Sequence, residues 1–171
     1  MTIRPASPVD LPALQALYPA AFPDEDLVPL VSALSAEAGG VLSLVARDSS
    51  KVTGSAFFTT CNVSGCECRA ALLGPVAVAP GSQQGGLGSA LIAAGFERLQ
   101  EDGVAAVCVL GDPAYYSRFG FQPETAIRPP YTLPDEWAGA WQSRRLDDGA
   151  ARCEGVLQVP LPWQEPALWG P

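Results

Sequence analysis

The sequence predicts a single mixed-sheet α/β domain over residues 1–171, and three observations carry that expectation. Two early stretches repeat apolar residues at helical spacing: Leu11, Leu14, Leu17 and Tyr18, then Leu27, Leu30, Val31 and Leu34. The pattern then switches to strand-like runs, VLSLVAR, VTGSAFFTTC and RAALLGPVAVAP, which read as a meander. A glycine-rich turn, an amphipathic helix and the almost wholly apolar VAAVCVLG follow, the last being the pattern of a strand covered on both faces. No internal repeat and no long linker divides the series. A chain of 171 residues buries a sizeable core without disulfides or metal.

Each element has a local cause. TIRPA reads as a first strand. Ser7 caps the helix after it, with Pro8 at the first helical position and Asp10 at the third, where a negative charge meets the positive helix end. Pro19 predicts a stop near Tyr18. The second helix begins near Pro29 and ends around AGG (38–40). DSSK (48–51) is a hairpin turn, and NVSGCEC (62–68) leads into the third strand of the meander. That strand carries Gly74-Pro75 in its interior. Proline there has no amide for the ladder, so an irregularity or an opened edge is expected. In the helix after the glycines, Leu87, Leu91, Ala94, Phe96 and Leu99 are core candidates. DPAYYSRFG allows two helical turns, and FQPET starts another strand. The segments WAGAWQSRRL and ARCEGVLQVP are expected to close the fold as a hairpin across DDGA.

Composition removes whole classes of function. With 10 basic against 18 acidic residues the net charge is −8, and no Arg/Lys stripe exists to neutralise phosphates. This argues against a nucleic-acid partner and against an anionic membrane surface. Histidine is absent, which excludes Ser-His-Asp and Cys-His pairs, histidine metal ligands and any imidazole acid or base. Proton transfer falls to a carboxylate, tyrosine, cysteine, water or the backbone. The N-terminus lacks an apolar signal segment and no 18-residue apolar run occurs. Together with the odd count of five cysteines, this reads as a cytoplasmic protein with reduced thiols.

The strongest local signal is GPVAVAPGSQQGGLGSALI. Gly85, Gly86 and Gly88 stand between a Val-rich strand and a helix whose first amides and dipole suit a pyrophosphate, although the same glycines also serve an ordinary tight turn. A P-loop requires a lysine after the last glycine, and Ser89-Ala90 follow instead. The order GGLG does not match the dinucleotide fingerprint either.

These residues resemble the GNAT superfamily of acyl-CoA N-acyltransferases. Its acyl-CoA motif, Gln/Arg-x-x-Gly-x-Gly/Ala, is met by Gln83, Gly86 and Gly88. Its Tyr-x-x-x-Gly-Phe segment is met by Tyr116, Gly120 and Phe121 in YYSRFGF. RPASPVD is similar to the family's usual opening. The resemblance covers most of residues 3–125 and extends less closely over 126–171, and LGPVAVAP, GSALI and VLGDPAYYSRFGF are close to a bacterial, largely uncharacterised subgroup.

The resemblance implies a mixed, mostly antiparallel central sheet with flanking helices and splayed central strands. It implies acetyl-CoA as acyl donor, with the backbone of Val76, Ala77 and Val78 along the pantetheine arm. Gln83, Gln84, Gly85, Gly86, Leu87, Gly88 and Ser89 lie around the pyrophosphate. Tyr116 takes the family position of the acid that protonates the leaving thiolate, a role that a phenol protonated at neutral pH suits. Packing on the sheet is its other reading, and Tyr115 cannot point the same way. The expected function is transfer of an acetyl group to a primary amine of a small molecule or protein. The alternative is an acyl-CoA binding or sensing domain without catalysis.

A general base is missing, because ALLGPVAV holds no carboxylate. Asp24, Glu25 and Asp26 lie where acceptors approach in this fold, and helix capping is their plainer use. No metal is expected. Cys61, Cys66 and Cys68 form C-x4-C-x-C, and a fourth ligand would have to be Cys108, Cys153 or an acid. Cys61 facing Cys68 gives either packing or a disulfide, and Cys108 reads as core. Trp137, Trp141, Trp163 and Trp169 fall in the last third, where core, acceptor pocket and a homodimer contact are all open uses.

Overall fold

A computed structural model describes residues 1–147 and 152–171. Its strands are β1 (Thr2–Pro5), β2 (Val41–Asp48), β3 (Lys51–Val63), β4 (Arg69–Val78), β5 (Ala106–Leu110), β6 (Gln122–Pro123), β7 (Ile127–Arg128), β8 (Trp141–Arg145) and β9 (Gly155–Gln158). Its α-helices are α1 (Leu11–Ala21), α2 (Val28–Ser35), α3 (Leu87–Glu101) and α4 (Pro113–Tyr116). The sheet is mixed and mostly antiparallel, with helices flanking it, the α/β class that the sequence predicts. Two compact units divide the chain, residues 1–58 with 74–97 and residues 59–73 with 98–171.

In the first unit the strand order is β1-β2-β3-β4. β1 pairs antiparallel with β2, from Thr2↔Arg47 to Pro5↔Leu44. Ser7 and Pro8 open the helical segment as the sequence suggests, but Pro8–Asp10 is a 3-10 turn, and α1 itself starts at Leu11 with Asp10 at its N-cap. Asp10 Oδ2 accepts the Ser7 N–H at 2.8 Å, and the Arg4 guanidinium grips both carboxylate oxygens at 2.7 and 3.0 Å. That grip holds the buried Asp10 carboxyl down at about 2. Pro19 does not end α1 at Tyr18 as expected. It sits in the last turn, and the helix runs to Ala21 before Phe22 N–H closes on the Tyr18 carbonyl at 2.8 Å. Leu14, Leu17, Tyr18, Leu30, Val31 and Leu34 turn inward, meeting a core that includes Leu44, Phe57 and Phe58. On α3, Leu87, Leu91, Ile92 and Phe96 are buried, and Ala94 is half-buried. Gly95 lets the helix sit on the sheet, because a Cβ there would run into the Phe58 ring.

In the second unit the order is β3-β4-β5-β8-β6. β4 and β5 are parallel from Ala70↔Ala106 to Leu73↔Val109, and β8 runs antiparallel to β5. Ala106 through Val109 are buried, as expected of a strand covered on both faces. The expected hairpin of β8 with β9 does not form. β8 joins β5 and β6, whereas β9 joins β3 at Asn62↔Gln158 and Val63↔Leu157, and also β7. Of the DDGA turn that this hairpin needed, only Asp147 lies among the described residues. The tryptophan-rich tail packs on its own unit. Trp169 is 2% exposed, against Trp141, Trp163 and Tyr131, and Trp163 Nε1–H donates to Thr59 Oγ1 at 3.2 Å.

Candidate functional site

The donor-side residues fall on one continuous stretch of the first unit. Val76, Ala77 and Val78 end β4, Gln83 through Gly86 form the loop, and Leu87, Gly88 and Ser89 open α3. The β4–β5 register stops at Leu73↔Val109, and β4 runs five residues farther. At that point the Gly74-Pro75 peptide is cis. The Pro75 carbonyl accepts the Tyr18 hydroxyl at 2.8 Å, and Ser55 Oγ lies 3.0 Å from the same hydroxyl. This irregular segment is therefore pinned from below by a fully buried tyrosine. The next turn is pinned too. Ala79 N–H donates to the Thr53 carbonyl at 2.8 Å, and Gln83 Nε2–H reaches back to the Val78 carbonyl at 3.2 Å.

Beyond Gln83 the backbone turns left-handed twice, at Gln84 (φ 66°) and Gly86 (φ 79°). An L side chain at Gly86 would be strained, although open space surrounds it. The first helical bond runs from Ala90 N–H to the Gly86 carbonyl at 3.0 Å. The amides of Leu87, Gly88 and Ser89 thus precede the ladder of α3, at the positive end of a 15-residue helix.

Tyr116 belongs to the second unit, at the end of α4. Asp112 caps that short helix, accepting the Ala114 N–H at 2.9 Å. The Tyr116 ring packs edge-on against Phe121 at 5.6 Å between centroids, and Gly111 leaves the room it fills. Its hydroxyl makes no hydrogen bond among the described residues, and burial pushes the phenol above its ordinary value. Tyr115 stands perpendicular to it, with the Arg118 guanidinium 4.8 Å above the ring. Both rings also pack on Phe119, so the two phenols share an aromatic cluster and differ in that Tyr116 meets Phe121 and Tyr115 meets Arg118.

An acetyltransferase (GNAT) domain model matches residues 2–123. This chain belongs to the GNAT acetyltransferase family. It is 36% identical over 154 residues to the uncharacterized N-acetyltransferase YhbS of Escherichia coli, covering 88% of this chain and 90% of that one. It is 35% identical to YjhQ of the same organism, over 74% and 73% of the two chains. Among solved structures, YhbS from Escherichia coli in complex with CoA superposes with a TM-score of 0.86 at 32% identity, covering 96% and 92% of the chains. A GNAT acetyltransferase from Brucella melitensis in complex with acetyl-CoA gives 0.77 at 27%, covering 95% and 97%.

The other acidic candidates of this GNAT chain are committed or exposed. Asp24, Glu25 and Asp26 are exposed, and Asp26 Oδ1 accepts the Val28 N–H at 3.4 Å at the start of α2. The sequence reading missed Glu124. Its carboxylate accepts the amides of Ala126 and Ile127 at 2.7 and 2.9 Å, and also bonds Ser143 and Arg145. That carboxylate is a brace between β6 and β8. A cleft of about 340 Å³ lined by Ser7, Leu11, Leu14, Ser32 and Ser43 holds none of the expected donor residues.

The cysteines pair differently from expectation. Cys68 bonds to Cys153, and buried Cys61 donates instead to the Thr59 carbonyl at 3.3 Å. The reading of all thiols as reduced is corrected with it. Cys108 is buried in β5, as expected. No helix among the described residues is long and apolar enough to cross a membrane.

Proposed function

We propose that the chain transfers an acetyl group from acetyl-CoA to a primary amine by direct attack. The loop from Gln83 to Ser89 carries this reading, since its two left-handed residues and the free amides opening α3 form an anion cradle beside an edge of β4 that continues past its partner. Pyrophosphate lies on the amides from Gln84 to Ser89, and the pantetheine arm follows the backbone of Val76, Ala77 and Val78. The amine nitrogen attacks the thioester carbonyl, the C–N bond forms and the C–S bond breaks. Tyr116 gives its hydroxyl proton to the departing thiolate. Its hydroxyl, without a hydrogen-bond partner among the described residues, supports the role, because a phenol is protonated throughout the neutral range. The acceptor amine arrives neutral or loses its proton to water. The net charge of −8 favours a cationic acceptor, whether a small molecule or a protein amine.

Absence of a carboxylate on β4 favours one second reading, a domain that binds acyl-CoA and transfers nothing. Two measurements separate the readings. Acetyl-CoA should raise the melting temperature while adenosine monophosphate hardly does, and equal stabilisation by both would overturn the pantetheine path. Thiol release over a panel of primary amines should then reveal turnover. Tight acetyl-CoA binding with no release for any amine would leave the binding domain.

A further inference from the structure

We propose that Cys66, Cys68 and Cys153 form a thiol–disulfide exchange site that takes small thiols and disulfides of the glutathione class. Cys66 is its entry thiol, and Cys68–Cys153 is the bond made and broken. The turn between β3 and β4 carries Cys66 and Cys68, and Cys153 lies two residues before β9. Their three sulfurs lie within 4.8 Å of one another. Cys68 and Cys153 are disulfide-bonded, yet Cys66 Sγ stands 2.7 Å from one of those sulfurs and 3.8 Å from the other. Cys68 N–H also points at Cys66 Sγ, at 3.3 Å. A purely structural staple needs no third thiol touching both halves of the bond. Exchange does, since the attacking sulfur must reach a disulfide sulfur.

Accessibility orders the three groups. Cys66 and Cys68 are partly exposed and Cys153 is 1% exposed, so solvent thiols meet the turn and not Cys153. Cys61 and Cys108 supply the contrast. Both are buried apart from this cluster, and burial pushes the Cys61 thiol up to about 12 and Cys108 higher still. Neither is a reactive thiol.

The sequence of steps balances. The Cys66 thiolate attacks a small disulfide RSSR, forming Cys66–S–SR and releasing RS⁻. Cys68 attacks Cys66 Sγ, forming Cys66–Cys68 and releasing the second RS⁻. Cys153 then attacks Cys68 Sγ, and Cys66 departs as thiolate. Two protein thiols lose two electrons, RSSR gains them, and the released protons make two RSH. Excess small thiol runs the steps backward. The bond that forms closes an 85-residue separation and fastens the segment ahead of β9 to the turn that β9 already flanks.

The test uses the whole reduced protein in glutathione buffers, with acid quench, alkylation and peptide mapping. A Cys66–glutathione adduct should appear first, followed by Cys68–Cys153, and the oxidised form should melt roughly 5–10 °C above the reduced one. Cys66→Ser should slow formation of the bond at least tenfold while leaving the final Cys68–Cys153 pairing and its melting temperature unchanged. Oxidation of Cys66→Ser at the parent rate would overturn the proposal, as would a first adduct at Cys68 in the parent. The parent measurement decides the matter even if the variant folds poorly. Reduced protein that retains one Zn(II) per chain through desalting and then resists glutathione disulfide would overturn it too, in favour of a metal site.

Discussion

Tyr18 and Tyr116 place the same phenol in two opposite situations. In the first unit the Tyr18 hydroxyl is fully buried and spends its hydrogen-bonding capacity inside the fold, on Ser55 and the Pro75 carbonyl. In the second unit the Tyr116 ring is held by its aromatic neighbours and the Gly111 backbone, and its hydroxyl has no hydrogen-bond partner among the described residues. A hydroxyl tied to two protein groups holds an irregular strand in place but has no proton to lend. One that is fixed by its ring has its proton free. The difference teaches that a side chain's spare valence, more than its identity, separates positioning from chemistry.

The largest expected effect strikes that contrast directly. Tyr116→Phe keeps the ring contacts, so folding and acetyl-CoA affinity should barely change, while single-turnover thiol release should slow roughly 10- to 1000-fold. Tyr115→Phe should stay near the parent rate. Loss at Tyr115 in place of Tyr116 would reverse the assignment. Because burial raises the Tyr116 pKa above the ordinary 10, the group stays protonated to higher pH, and no fall in rate up to pH 10 should trace to it.

Second in size is the loop that follows the strand Tyr18 holds. Gly86→Val forces an L side chain into φ 79°, and acetyl-CoA affinity by calorimetry should weaken at least tenfold. Unchanged affinity in a folded variant would put the phosphates elsewhere. Tyr18→Phe comes next and should act on stability, costing about 1–3 kcal/mol in denaturant unfolding as Ser55 and Pro75 lose their partner. A parental melting curve would show that water replaces the hydroxyl there.

The smallest effect is one of acid titration. Asp10 is held at about 2 against an ordinary 3.8, so the stability it contributes is complete above about pH 4 and is lost as pH falls toward 2. Asp10→Asn should flatten the unfolding curve in that window. A parental acid limb in the variant would deny Asp10 the role.

What the sequence made legible was mostly local. Ser7, Pro8 and Asp10 announce a helix start within four residues, and Gln83, Gly86 and Gly88 announce a glycine turn into α3 within six. The partnership of β9 with β3 joins residues more than ninety positions apart, and no nearby spacing signals it. Arg4 escaped notice because its grip on Asp10 depends on β1 lying beside the helix start. Local spacing offers Cys61 to Cys68, whereas its partner is the distant Cys153. Glu124 carries no local signal because the groups that close on it, Ser143 and Arg145, lie 19 and 21 residues later. Pro19 misled in the other direction, since a proline is tolerated where its helix is already ending.

The bond from Trp163 to Thr59 bears on the order of events during synthesis. Thr59 leaves the ribosome 104 residues ahead of the indole that will bond it, and Asn62 and Val63 wait nearly as long for β9. The far half of β3 therefore emerges with an unpaired edge, while the first unit's residues are all in place once residue 97 has been made. Translation exposes a strand edge that β9 covers only after more than ninety further residues have been made.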